Sequence, residues 1–250
     1  MRDGAGRVRA HGGAARLRRR LGHPVQRPAI PFGHRPPGHQ ALTSAPAVLT
    51  GPLHPHGRAS RVARWVLSLF GWTVDAPGLP AEQGVILVYP HTSNWDFVVG
   101  VLAKWAIGLQ LRFWGKDSLF RVPLLGRWVR WIGGVAVDRA SPHGMVADTV
   151  AQMRAAAARG ERFWLAVAPE GTRSLTTGWR TGAYQVAVQA GVPVGLCYFD
   201  FQRRVVSLNR FVRLTGDLQA DFAAFADYLG PRMGRRPALA SPIQPKPPRP

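Results

Sequence analysis

The stretch Val85-Ile86-Leu87-Val88-Tyr89-Pro90-His91-Thr92-Ser93-Asn94-Trp95-Asp96 decides the fold. A continuous apolar run closed by proline predicts a strand buried on both faces, over residues 85–90. Ser93-x-x-Asp96 then fits a capping box, which opens a helix running to about residue 109. Strand, turn and helix in that order are the unit of an α/β fold. The turn receives an ionisable His91, and Asp96 lies one helical turn away, close enough to fold back toward it. A neutral imidazole suits proton abstraction from a hydroxyl, and a carboxylate on its other nitrogen fixes the tautomer. The bland alternative is that Asp96 only caps the helix.

Working outward, strand and helix patterns alternate. Residues 111–114 and 135–138 read as strands, with an amphipathic, Pro-containing segment over 118–132 between them. Ser141 and Pro142 open a helix that Gly160 closes, and 163–168 form the next strand. A helix over 182–190 and a strand over 192–199 follow. Val205-Val206 and 211–214 read as later edge strands, and 217–229 as a final helix. This predicts an α/β fold with a mostly parallel central sheet flanked by helices.

Polar clusters fall at the carboxyl ends of four successive strands: His91 to Asp96, Gly115-Lys116-Asp117, Asp138-Arg139, and Pro169-Glu170-Gly171-Thr172-Arg173-Ser174. In open α/β sheets ligands bind at that edge. One composite site with a His–Asp pair and several cations is therefore expected. Arg139 and Arg173 offer forks that suit a phosphate, and Lys116 a point charge. Each also has the plain reading of a solvated loop charge, and Glu170 to Arg173 that of a simple Gly turn.

Several classes are unsupported. There is no Gly-x-Ser-x-Gly elbow, no P-loop and no Gly-x-Gly-x-x-Gly. The lone Cys197 allows no internal disulfide and no zinc set, so a reducing compartment fits, and no metal is expected. Cys197 as the nucleophile of an acyl hydrolase is a rival reading, set against a buried structural thiol. The most apolar stretch, 97–111, is broken by Lys104 and Gln110 and would reach only about 22 Å as a helix, too short to span a bilayer.

The net charge is +20 and the chain holds nine Trp. Residues 1–60 carry ten Arg and one Asp, with six of the eight His and no period of either kind. Residues 1–59 are expected to be a disordered basic arm, 60–234 the folded domain, and 235–250 a disordered Pro-rich tail. The first helix, 61–70 with Ser60 as cap, has two Arg and a broad apolar remainder. It suits a membrane interface or the domain's own core. The pairs Arg64-Trp65, Arg127-Trp128 and Arg130-Trp131 also suit headgroup level. No nucleic-acid motif is evident, and Arg18-Arg19-Arg20 lacks the apolar run of a secretory signal.

Over residues 61–200 these clusters resemble the glycerolipid acyltransferase superfamily, the group that includes 1-acylglycerol-3-phosphate acyltransferases. His91-Thr92-Ser93-Asn94-Trp95-Asp96 is similar to the family's first block, and Lys116 through Phe120, Pro123, Gly126 and Gly133 to Asp138-Arg139 to its second. Pro169 to Ser174 matches the third almost letter for letter. Gly191-Val192-Pro193-Val194 agrees with the fourth, which departs at Gly195-Leu196, where a second Pro is usual; that bears on substrate identity.

The resemblance implies an O-acyltransferase moving a fatty acyl group from acyl-CoA or acyl carrier protein to a hydroxyl of a lysophospholipid or related glycerolipid. His91 would be the general base and Asp96 its orienting partner, with backbone amides near 93–96 receiving the oxyanion. Lys116, Arg139, Glu170, Gly171, Thr172 and Arg173 would form the substrate-phosphate region, with Arg173 contacting the phosphate and Glu170 organising the pocket. No cofactor is needed beyond the donor. An anionic membrane surface is the expected partner, placing the protein at the cytoplasmic face, peripheral or monotopic. A non-catalytic basic module binding lipid or nucleic acid is the alternative.

Overall fold

The computed structural model describes residues 45–50, 53–55, 57–137 and 142–247. Among these, eight strands form one sheet: β1 (Ala47–Val48), β2 (Thr73–Asp75), β3 (Gln83–Tyr89), β4 (Arg112–Lys116), β5 (Gly134–Val137), β6 (Phe163–Val167), β7 (Val194–Asp200) and β8 (Val205–Arg213). The helices are α1 (Arg61–Leu69), α2 (Asn94–Ile107), α3 (Asp117–Arg121), α4 (Pro123–Trp131), α5 (Pro142–Ala158), α6 (Gly182–Ala190) and α7 (Leu218–Leu229).

The strand order is β1-β8-β7-β3-β6-β4-β5, with β2 also on β8. From β7 to β5 every pairing is parallel, while β8 runs antiparallel to β7. The carboxyl ends of β3, β4, β5, β6 and β7 therefore share one edge, as the sequence predicts. β3 sits between β6 and β7, with Leu87 opposite Val167 on one side and Leu196 on the other.

Its continuous apolar run follows from having helices on both faces. Alternate side chains leave a strand in opposite directions. Val85, Leu87 and Tyr89 enter a core with Val150 and Met153 of α5, Tyr184 of α6 and Phe222 and Phe225 of α7. Ile86 enters the other, with Val99, Ala103 and Ala106 of α2, Ala63 and Leu67 of α1, and Trp164.

Three sequence expectations need correction. The two short edge strands are one nine-residue strand, β8. Ser207 and Asn209 interrupt its apolar pattern, but both donate to the Asp75 carboxylate of β2, so their polarity is satisfied within the sheet. The folded part also begins before residue 60: Ala47 and Val48 pair with Arg213 and Val212, and His54 exchanges backbone hydrogen bonds with Leu79. Finally, residues 235–247 are a docked segment rather than a disordered tail. Trp179 N donates to Gln244 O at 2.8 Å, Lys246 N returns a bond to Trp179 O, and Ser241 is fully buried. Pro237 opens a single 3-10 turn to Leu239, and the chain beyond it pairs with the loop at Trp179. Residues 1–44, Asp138, Arg139 and the Ser141 cap lie outside the described residues.

Candidate active site

The capping box at the start of α2 forms as predicted. Ser93 is the N-cap and its hydroxyl accepts from Trp95 N at 3.2 Å. Asp96, 1 % exposed, turns back so that Oδ2 accepts from Ser93 N at 2.8 Å and Thr92 N at 2.7 Å. The same Oδ2 stands 3.2 Å from His91 Nδ1. Capping and orienting the histidine are thus one interaction set. The carboxylate beside Nδ1 favours a proton on that nitrogen, which leaves the Nε2 lone pair for a substrate.

Glu170, at the turn after β6, connects the third block to the first. Its Oε1 accepts from His91 N at 2.6 Å and its Oε2 from Ser241 N at 2.9 Å, in a site only 2 % exposed. Burial pushes this carboxyl above its ordinary value, and the His91 and Ser241 amides pull it partly back. With both oxygens committed to backbone amides, Glu170 holds the histidine loop.

Gly171 continues the turn with φ +69, its N–H bonded to Ala168 O, and an added Cβ would lie 2.8 Å from Arg180 Nε. Thr172 Oγ1 accepts from Ser174 N at 3.3 Å. These two residues shape the loop that carries Arg173, which is exposed and whose guanidinium donates to the Asn94 side-chain carbonyl. His91, Asp96, Glu170 and Arg173 therefore converge through hydrogen bonds between the first and third blocks. Lys116 is exposed at the end of β4 on the same edge, and among the described residues no hydrogen bond or ion pair joins it to the dyad. Arg139 lies outside the described residues.

The expected row of amides is narrower than the sequence suggests. Those of Thr92, Ser93, Trp95 and Asp96 are engaged with Asp96 and Ser93. Among the described residues Asn94 N–H, at the positive end of α2, is the one in this turn without such a bond.

An apolar cavity of about 210 Å³ lies between α2 and the sheet, with His91 and Asp96 in its wall. Phe97, Phe113, Val167, Cys197, Phe199 and Leu208 also line it. Lys104 contributes to the wall and turns its ammonium to Ile132 O at 2.5 Å, at the end of α4; burial lowers its pKa. Cys197 is buried in β7 and its thiol is pushed up to about 12, so it offers no thiolate near neutral pH. The cysteine-hydrolase reading loses its nucleophile.

Sequence reasoning missed Asn94 as the partner of Arg173, and Ser241 as the second donor to Glu170. The Asn94 contact carries no local pattern, and Ser241 stood in a stretch whose composition reads as a tail.

A parallel α/β sheet bearing a carboxylate-oriented histidine, tied by a buried glutamate to an arginine loop, joins the first and third sequence blocks in one site. Residues 74–199, from β2 into β7, match the family model described as Acyltransferase, and the chain belongs to that family. It is 30% identical over 151 residues to the 1-acyl-sn-glycerol-3-phosphate acyltransferase of Escherichia coli (strain K12), covering 57% of this chain and 58% of that one. The enzyme of the same name from Haemophilus influenzae is 28% identical over 160 residues, 60% of this chain and 64% of the relative. The chain thus matches less than two thirds of the length of these relatives. The crystal structure of a 1-acyl-sn-glycerophosphate acyltransferase from Thermotoga maritima aligns at a TM-score of 0.45 and 15% identity, covering 67% of this chain and 73% of that one.

Proposed function

We propose that the protein transfers a fatty acyl group from a thioester, acyl-CoA or acyl carrier protein, to the hydroxyl of a lysophosphatidate-like glycerolipid. The observation that carries this reading is the Asp96–His91 pair in the wall of an apolar cavity, with Arg173 on the adjoining loop. Proton chemistry, a place for an alkyl chain and a fork for a phosphate meet there.

His91 Nε2 takes the proton of the acceptor hydroxyl as its oxygen attacks the thioester carbonyl. Asp96 stabilises the imidazolium that forms. The tetrahedral oxyanion receives Asn94 N–H, in the field of the α2 N-terminus. Collapse breaks the C–S bond, and the imidazolium returns its proton to the departing thiolate. Charge and atoms balance without a covalent enzyme intermediate. Positioned acid–base catalysis supplies on the order of 10²- to 10⁴-fold, so holding both substrates together supplies much of the rest. Arg173 holds the acceptor phosphate, and Lys116 adds positive charge along the same sheet edge.

No helix among the described residues is long and apolar enough to cross a membrane. Leu124 is 81%, Trp131 72% and Trp65 61% exposed, on helices that also carry Arg64, Arg127 and Arg130. Such faces suit docking on an anionic bilayer, where the glycerolipid acceptor is found. A non-catalytic basic module leaves the buried, paired carboxylate unexplained.

The test is a panel. Purified protein is incubated with palmitoyl-CoA or palmitoyl carrier protein and lysolipids of differing headgroup, and products are identified by mass. Diacyl product that disappears with His91→Ala is expected; full activity in that variant overturns the mechanism.

A further inference from the structure

The segment from Met233 to Lys246 crosses both loops of the site. Phe201 N donates to Met233 O at 2.8 Å, anchoring its start beyond β7. Gly234 lies against the histidine loop so closely that a Cβ there would come 2.8 Å from Thr92 Oγ1 and 3.0 Å from Pro90. Arg236 N donates to Thr92 Oγ1 at 3.2 Å, and the Arg235 guanidinium sits over the Trp95 ring, 5.6 Å from its centroid. Ser241 then supplies its N–H to Glu170, while its hydroxyl accepts from Thr176 N at 3.1 Å on the arginine loop. Trp179, whose backbone bonds to Gln244 and Lys246, closes the far end.

These contacts form one chain: strap amide, Glu170 carboxylate, His91 backbone, His91 imidazole, Asp96. A buried carboxylate that loses one of its two backbone donors keeps its desolvation cost and is held less firmly. The His91 loop would then lose the acceptor that fixes it. We propose that residues 233–246 are a working part of the active site, with the backbone N–H of Ser241 positioning the base by holding Glu170 against the His91 loop. Ser241 touches no substrate in this arrangement and acts as a positioning residue. The proposal rests on His91 being the base.

The comparison that tests it is Ser241→Pro, which lacks the N–H, against Ser241→Ala, which keeps the N–H and lacks the hydroxyl. Relative to Ser241→Ala, Ser241→Pro should lose kcat by between about tenfold and 10²-fold, the scale of an ångström-level misplacement, with KM for donor and acceptor within about twofold. The His91 amide proton provides a second readout: its short bond to a carboxylate places it downfield in NMR spectra, and only the proline variant should move it strongly upfield. If Ser241→Pro does not fold, Gly234→Val, which forces the strap away from Thr92, takes its place with the same kcat-selective loss expected. Equal kcat in the folded variants, with the His91 amide unmoved, overturns the proposal. His91→Ala is assayed beside them. Full activity there defeats the assignment of the base, whereas an inactive His91→Ala with equal Ser241 variants defeats the strap alone.

Discussion

Asp96 Oδ2 accepts from the amides of Thr92 and Ser93 and stands 3.2 Å from His91 Nδ1, while Oδ1 is buried without a hydrogen-bond partner among the described residues. This asymmetry makes Asp96→Asn informative. The amide oxygen can occupy the place of Oδ2 and the NH₂ group that of Oδ1, so helix cap and imidazole tautomer survive while the charge goes. kcat should fall by about 10²- to 10⁴-fold, with unfolding free energy changed by less than about 1 kcal/mol. Asp96→Ala removes the cap as well and should cost about 0.5–2 kcal/mol. Urea unfolding alongside kinetics separates the two; an unchanged kcat in Asp96→Asn would mean that Asp96 is only a cap.

Arg173 gives a prediction of a different kind. Its guanidinium is exposed and already aligned by Asn94, so a phosphate would meet a preset fork. Hydrogen bonds to charged groups contribute about 1.5–3 kcal/mol, so Arg173→Ala should raise the KM for a phosphate-bearing acceptor by about 10- to 100-fold. Arg173→Lys should not restore it, because a point charge lacks the fork. Steady-state kinetics against a phosphate-free acceptor provide the control, where little change is expected.

What the sequence made legible follows from how far each signal reaches. The strand read at 85–90, the Ser60 and Ser93 caps and the end of the 182–190 helix before Gly191 depend on signals within one turn of backbone, and each appears as read. The joining of the first and third blocks was legible only as shared placement on one edge; the bonds from Glu170 to His91 and from Arg173 to Asn94 each span 79 residues. The strap was illegible because its order comes from partners supplied by Thr92, Glu170 and Trp179, not from any period of its own. β8 was split for the same reason, since Asp75 stands 132 residues from Ser207.

Glu170 carries a pH signature. Burial raises its pKa in the fold above the ordinary 4.5, despite the two amides. The protonated form is thus favoured by folding, a contribution complete below about pH 4.5 and lost as pH rises through the raised folded value. Stability of the natural protein relative to Glu170→Gln should therefore improve on acidification from pH 7 toward 4.5. Denaturant titrations at a series of pH values check the sign; a gap constant with pH would mean that Glu170 is not buried as a charge.

The exposed face of α4 should govern partition to lipid. Leu124 and Trp131 are exposed, and Trp131 meets the Trp105 ring at 5.8 Å, so replacing both with Asp is expected to leave the fold intact and to cost about 0.5–1.5 kcal/mol of stability. Each apolar side chain withdrawn from water contributes roughly 1.5–3 kcal/mol. The double variant should bind vesicles containing anionic lipid at least about 100-fold more weakly in sedimentation assays. Activity on micelle-dispersed acceptor should be retained, since neither residue lines the cavity that holds His91 and Asp96.

Cys197 provides a probe of the cavity. Its thiol is raised to about 12 and it lines the apolar space shared with His91, Phe97 and Phe199. Cys197→Ala should keep transfer activity, because no step uses the thiolate. Cys197→Phe places a ring into a space of about 210 Å³ and takes up much of it. Overpacking typically costs about 1–3 kcal/mol, and here the cavity should absorb part of that. The functional effect should depend on chain length: activity with long acyl donors falls, while short donors are used nearly as before. Competition between octanoyl- and palmitoyl-CoA, read by product mass, measures this as a ratio within one reaction. If Cys197→Phe lowers both products equally, the cavity is not where the acyl chain lies, and the chain must run along the surface of α2 and α4 instead.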